Sequence, residues 1–201
     1  GIVQSHQFHQ AVMHSKARMT YTDVAAILTD NDVDLIEQYQ SVLPGIQTMY
    51  KLYQVMLAAR EKRGAIDFEL TETQFVFDQQ RKISAIVPRE RNDAHRLIEE
   101  FMVAANVCAA KYLLAKTIPA LYRVHETPSE EKLTGLREFL GELGLSLSGG
   151  AEPQPRDYAM LLNAAQQRND AHLLQTVMLR SMKQAMYQPD NVGHFGLALE
   201  A

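Results

Sequence analysis

The chain has 201 residues, 46% of them hydrophobic and 22% charged. That is enough for one domain of ordinary size and too little for two large ones, and it excludes dominant disorder. Lys plus Arg number 20 against 24 Asp plus Glu, a formal charge of -4; this argues against capture of nucleic acid by bulk positive charge but allows a local basic lining. No apolar run is long enough for a transmembrane helix, so no membrane partner is expected. The lone cysteine, Cys108, rules out an internal disulfide and suits a reducing, cytoplasmic compartment. With no initiator Met, no signal pattern and an apolar run just before Ala201, the chain is expected to be a piece of a longer protein.

Weak alternation around Phe8, Ala11 and Met13 predicts a short strand or extended arm over Gln7 to Ser15. Thr20, with Asp23 three residues on, predicts a helix start, and the helix should run to about Leu28. A brief helix follows at Leu35 to Gln40. Ser41 and Pro44 open a longer one, in which Val42, Ile46, Met49, Tyr53, Met56 and Arg60 fall on one stripe. Lys62, Arg63 and Gly64 end it.

The period then changes to two. Ile66, Phe68 and Leu70, then Phe75 and Phe77, then Ile83, Ala85 and Val87, predict a β-meander of three short strands. Asn92 and Asp93 open the longest helix, to about Lys116. Its broad apolar arc (Leu97, Phe101, Ala104, Ala105, Cys108, Ala109, Tyr112) predicts a central helix buried on several sides. A strand is expected over Pro119 to His125, and a helix from Ser129 to about Leu143. The Gly-, Ser- and Pro-rich stretch 146–155 looks like a linker. Helices should follow from Asp157 to about Gln167 and from Asn169 or Asp170 to about Tyr187, and a turn into a strand over Gly193 to Leu199. The fold class is helix-rich α+β.

Self-sufficient catalytic signatures are absent: no phosphate-binding glycine loop, nucleophile elbow or zinc motif occurs. Cys108 lies in an apolar arc, as a buried small hydrophobe would. His95, Glu99 and Asn106 share a polar sector of the long helix. Glu99 there could bind a ribose hydroxyl or accept a proton, or simply be a solvated acid complementing the helix dipole. Phe68 could be core or a ring on which a base stacks. Tyr21 could be a packed first-turn aromatic or a phenol reaching a ligand. Arg18, Lys82, Arg89, Arg91, Arg96, Arg180 and Lys183 form no single run and make an RNA track only if the fold gathers them.

Several long motifs carry a resemblance. They are residues 91–102 (RNDAHRLIEEFM) followed by AANVCAA, residues 11–24 (AVMHSKARMTYTDV), 61–69 (EKRGAIDFE), 119–129 (PALYRVHETPS) and the tail 179–199 (LRSMKQAMYQPDNVGHFGLAL). Together, and in this order, they resemble the catalytic RNB domain of the ribonuclease II family, most closely its ribonuclease R branch, from about Ala11 to Ala201. The resemblance implies a processive 3′→5′ exoribonuclease that hydrolyses single-stranded RNA to nucleoside 5′-monophosphates with Mg²⁺, by two-metal logic. It implies that Phe68 stacks on the 3′-terminal bases. It also implies that Tyr21 and Glu99 line the cavity where ribose is told from deoxyribose, a task suited to a phenol and a carboxylate facing a 2′-hydroxyl.

The same resemblance places no catalytic residue and no metal ligand in this chain. The metal-binding aspartates are expected upstream of Gly1, a phosphate-holding arginine segment beyond Ala201, and the cold-shock and S1 domains elsewhere in the polypeptide. The chain is thus expected to be the central part (1–201) of a single RNB domain, truncated at both ends. On its own it is expected to be inactive, with the remaining parts of the same polypeptide as its partners. Two readings compete: a non-catalytic RNB-like helical scaffold or RNA-binding module, and an unrelated metal hydrolase built on His95 and Glu99.

Overall fold

A computed structural model of the chain describes residues 1–68, 72–89 and 91–201, the side chain at 72 excepted. The architecture is helix-rich α+β, with seven α-helices and two two-stranded sheets among the described residues. Two compact units emerge: Gly1–Ala59 with Thr73–Lys116, and Arg60–Glu72 with Thr117–Ala201.

In the first unit, residues 1–20 form no regular structure. The strand expected around Phe8 is not there: its apolar positions alternate with Gln and His, and no neighbouring strand takes up its backbone groups. Thr20 opens α1 (Tyr21–Ala25) through a reciprocal capping box with Asp23, as the spacing predicts. A π-helical turn follows at Ala26–Asp30, closed by Asn31 in the left-handed conformation. Asp32 then caps α2 (Val33–Gln38). α3 (Leu43–Arg63) begins near Pro44 and ends on three cations and Gly64, whose φ is +81°. Of its expected stripe, Tyr53 is buried while Met49 is exposed.

Among the described residues the meander has two strands rather than three. β1 (Glu72–Phe77) and β2 (Ile83–Arg89) form a hairpin. Its turn is set by the Asp78 amide donating to Lys82 O at 2.8 Å, the Arg81 amide donating to Asp78 O at 3.0 Å, and Arg81 in the left-handed region. This is the three-residue loop that follows a type I turn with a left-handed residue. Ile66 and Phe68 lie in no strand; Leu70 falls outside the described residues. The Ile66 amide donates instead to Gly196 O at 2.9 Å, so its alternation reflects burial in the second unit and not a ladder. α4 (Asp93–Ala115) has the expected length. It is not sheathed on several sides, however: Ala94, Leu97 and Glu100 are buried, while Met102 and Tyr112 are exposed and Cys108 is half-buried. Breadth of an apolar arc marks what can be covered, not what is.

The second unit holds the larger core. α5 (Glu130–Glu142), α6 (Pro155–Ala165) and α7 (Ala171–Ser181) pack Leu133, Leu136, Leu140, Tyr158, Leu161, Leu162, Leu174 and Met178 against one another. The expected linker is internal to this unit. Leu147 joins the core, and the Ser148 hydroxyl donates to Asp157 Oδ1 at 2.6 Å. α7 stops at Ser181, short of the expected Tyr187, because Met182 turns to extended backbone and the Lys132 ammonium donates to Arg180 O and Met182 O. Met186, Tyr187 and Gln188 then form β4 (Met186–Gln188), antiparallel to β3 (Tyr122–Val124). Pairing with β3 overrides their local preference.

The expected strand at the C-terminal end is a 3₁₀ turn, Phe195–Leu197, closed by Ala198 in the left-handed region. His194 holds it: its Nδ1 accepts the Leu197 amide at 3.3 Å, and its ring meets His125 edge-on with centroids 5.1 Å apart. Burial, then the neighbouring His125, pushes the His194 pKa down to about 4, and burial lowers that of His125 as well. Both are neutral in the fold, whereas the unfolded chain takes up protons near pH 6.5. Their stabilising contribution is therefore complete above about pH 6.5 and is lost as pH falls towards 4. Allowing for partial exposure, His194 should account for roughly 1–2 kcal/mol of acid sensitivity. Urea titrations at stepped pH should show this loss, and His194→Asn, which keeps an acceptor there, should flatten it.

Candidate functional site

Of the three residues expected to meet RNA, Tyr21 and Glu99 lie together in the first unit, on the opening turns of α1 and α4. Each helix start is fixed locally. At α1, Thr20 Oγ1 accepts the Asp23 amide at 3.1 Å, and Asp23 Oδ2 accepts the Thr20 amide at 3.3 Å. At α4, Asn92 Oδ1 accepts the His95 amide at 3.2 Å and lies 2.7 Å from His95 Nδ1. The two starts are then joined: Asn92 Nδ2 donates to Tyr21 O at 3.4 Å, and the Tyr21 ring stacks on His95 with centroids 4.1 Å apart and planes 19° apart.

α3 braces the base of α4. The Tyr50 hydroxyl donates to Asp93 Oδ2 at 2.8 Å. That bond, then burial, raises the Tyr50 pKa; burial, then the Asp93 charge, raises that of Tyr53. Both phenols stay protonated, and Tyr50 donates to Asp93, which suits a structural buttress.

Glu99 sits one helical turn beyond His95, so the two share a face of α4. Arg91 grips its carboxylate: Nε donates to both oxygens at 3.1 Å, and Nη2 also donates to Oε2. A guanidinium fork across a carboxylate fixes its plane and leaves lone pairs for a further donor. Tyr21 remains 41% exposed, so its stacked ring presents an open edge. Arg89 completes the surround, with Nη2 3.4 Å from His95 Nε2. The arrangement sets an oriented carboxylate one helical turn from the imidazole on which a phenol ring stacks, groups able to hydrogen-bond a small polar ligand.

Phe68 belongs to the second unit. It lies in the irregular segment after α3, half-buried against the core built from α5, α6 and α7. Packing thus holds the ring while part of it remains open. Asn106, the third member of the expected polar sector, is exposed on α4. Arg91 as the partner of Glu99 and His95 as the partner of Tyr21 went unread in the sequence. Arg91 precedes the helix and lies eight positions from Glu99, so no helical spacing announces the pair.

Among the described residues no three His, Cys, Asp or Glu side chains converge to hold a metal. Several described acids have partners of their own: Glu99 with Arg91, Glu126 with Lys183, Asp170 with Arg168, and Asp93 with Tyr50. His95 is held by Asn92 and Tyr21. With Glu99 gripped by Arg91 and His95 engaged by Asn92 and Tyr21, these two described side chains form no metal-ligand pair of the kind that the hydrolase reading needs. Among the described residues, no helix is long and apolar enough to cross a membrane.

Comparison with known proteins agrees with this architecture. The model of the RNB domain matches residues 1–201. Ribonuclease R of Vibrio cholerae is 54% identical over 200 residues, which is all of this chain and 24% of that protein. Ribonuclease R of Escherichia coli K12 is 50% identical over 201 residues, again the whole chain and 25% of the relative. The solved structure of Mycoplasma genitalium RNase R in complex with ribose-methylated single-stranded RNA superposes with a TM-score of 0.80 at 26% identity, covering 89% of this chain and 28% of that one. The chain thus spans about a quarter of the length of these relatives. It belongs to the RNB domain family.

Proposed function

We propose that this chain is a central part of one RNB catalytic domain and supplies the RNA-gripping wall of a 3′→5′ exoribonuclease. That enzyme would hydrolyse single-stranded RNA to nucleoside 5′-monophosphates. The match of the RNB model along the whole chain and the ribonuclease R relatives support the reading. The observation that carries it at the level of chemistry is Tyr21 stacked on His95, one turn from a Glu99 carboxylate clamped by Arg91. In this reading Glu99 accepts a hydrogen bond from the 2′-hydroxyl of the terminal ribose, and Tyr21 bonds the same sugar. Phe68 stacks on a base. Mg²⁺, bound by carboxylates in other parts of the polypeptide, supplies the hydrolytic chemistry in a cytoplasmic enzyme. The 201 residues alone release no nucleotide.

The test uses the complete protein with Tyr21→Phe, Glu99→Gln and the pair. Each single change should lower kcat/KM on an oligoribonucleotide by about tenfold, the scale of one hydrogen bond. The double variant should lose less than the product of the two, because both groups serve one sugar. Wild-type rates in all three would contradict the assignment.

A further inference from the structure

The β1–β2 hairpin is an unusual surface. The Asp78 to Lys82 bond sets the register, and the Ser84 hydroxyl donating to Val76 O at 3.1 Å agrees with it. Phe77 then lies opposite Ile83 and Phe75 opposite Ala85. Side chains alternate across a strand, so Thr73, Phe75, Phe77, Ile83, Ala85, Val87 and Arg89 share one face. Phe75 is 50% exposed and Phe77 59%. A ribbon of two strands is marginal in water alone, and two open rings on one face ask for an occupant.

Charge and continuity say which. Arg81 and Lys82 stand exposed at the tip. The acid beside them, Asp78, is committed to the turn, its Oδ1 accepting the Gln80 and Lys82 amides at 2.9 and 2.8 Å. At the other end of the same face, Arg89 reaches His95, whose ring carries Tyr21. Aromatic rings with Arg81 and Lys82 at one end of their ribbon and Arg89 at the other, where Arg89 meets the ring that carries Tyr21, match an unpaired polynucleotide strand better than an apolar protein surface. Phe75 and Phe77 lie about 7 Å apart along the strand, and next to Phe75 the small Ala85 leaves room over its ring.

We infer that this face of the hairpin is a second base-stacking platform for single-stranded RNA, in which Phe75 and Phe77 take nucleotides upstream of the last three, whose terminal member is held at Tyr21 and Glu99. The inference rests on the RNA reading above and extends it along the strand. The platform grips long strands and leaves the shortest untouched.

The test measures binding of the complete protein, in EDTA to prevent hydrolysis, to a labelled oligoadenylate long enough to span the ribbon and to an adenosine trinucleotide. Phe75→Leu/Phe77→Leu keeps apolar bulk but removes the π-faces. It should weaken the long strand by roughly 5- to 50-fold and leave the trinucleotide unchanged. Arg81→Glu/Lys82→Glu, confined to the exposed tip, should weaken the long strand and flatten its salt dependence. Wild-type affinity of both variants for the long strand overturns the platform, as does an equal loss for both oligonucleotides. Lost thermal stability with unchanged RNA affinity would assign the face to a protein surface and also overturn it. Failure of the wild-type protein to bind either oligonucleotide would instead overturn the RNA reading itself.

Discussion

Leu174→Ala is expected to remove about 3–4 kcal/mol from the stability of the second unit. Leu174 is 0% exposed at the end of the first turn of α7, a helix that packs on both α5 and α6. Two helices bear on the site from different sides, so neither can collapse into the space without leaving the other. The cost is therefore the transfer of the lost methyl and methylene groups plus an unfilled cavity. Leu179, on the same helix, is 40% exposed. Leu179→Ala should cost less than about 1 kcal/mol, since little area leaves water there. Urea unfolding of the two variants side by side checks this. Equal losses would mean that the core does not centre on α7.

What could be read in advance was what is local. Thr20 with Asp23, Asn92, Ser129 and Gly64 mark helix ends through contacts within four residues, and each marks one in the structure. The readings that failed needed information from distant residues. Met186 to Gln188 continue a plausible helix until β3 offers its edge. Ile66 and Phe68 alternate like a strand, but one backbone bond to Gly196 and a core face account for them. The arc on α4 is apolar, yet its burial depends on what stands beside it.

The site divides in the same way. Tyr21 and Glu99 were singled out by family resemblance, and spacing alone left each with an ordinary alternative. Their proximity depends on two helix starts meeting through Asn92, and the clamp on Glu99 on an arginine outside the helical repeat. No periodicity encodes either.

The second large effect concerns the sugar. If Glu99 accepts a hydrogen bond from the 2′-hydroxyl, that bond involves a charged acceptor in a fixed orientation and should contribute about 1.5–3 kcal/mol, or roughly 10- to 100-fold. Arg91 keeps the carboxylate in plane, so the bond forms without ordering a free side chain. A deoxyribose end leaves the acceptor facing the gap and forfeits the whole term. Glu99→Ala removes the acceptor for both sugars, and with it the basis for preferring one.

The most direct measurement is therefore a ratio. The complete protein would be given one oligoribonucleotide and its counterpart with deoxyribose at the 3′ end, and kcat/KM compared for wild type and Glu99→Ala. The account predicts a wild-type preference for ribose of about 10- to 100-fold that falls close to one in the variant, through slower cleavage of the ribose end alone. A variant that slows both substrates equally and keeps the wild-type ratio would contradict it.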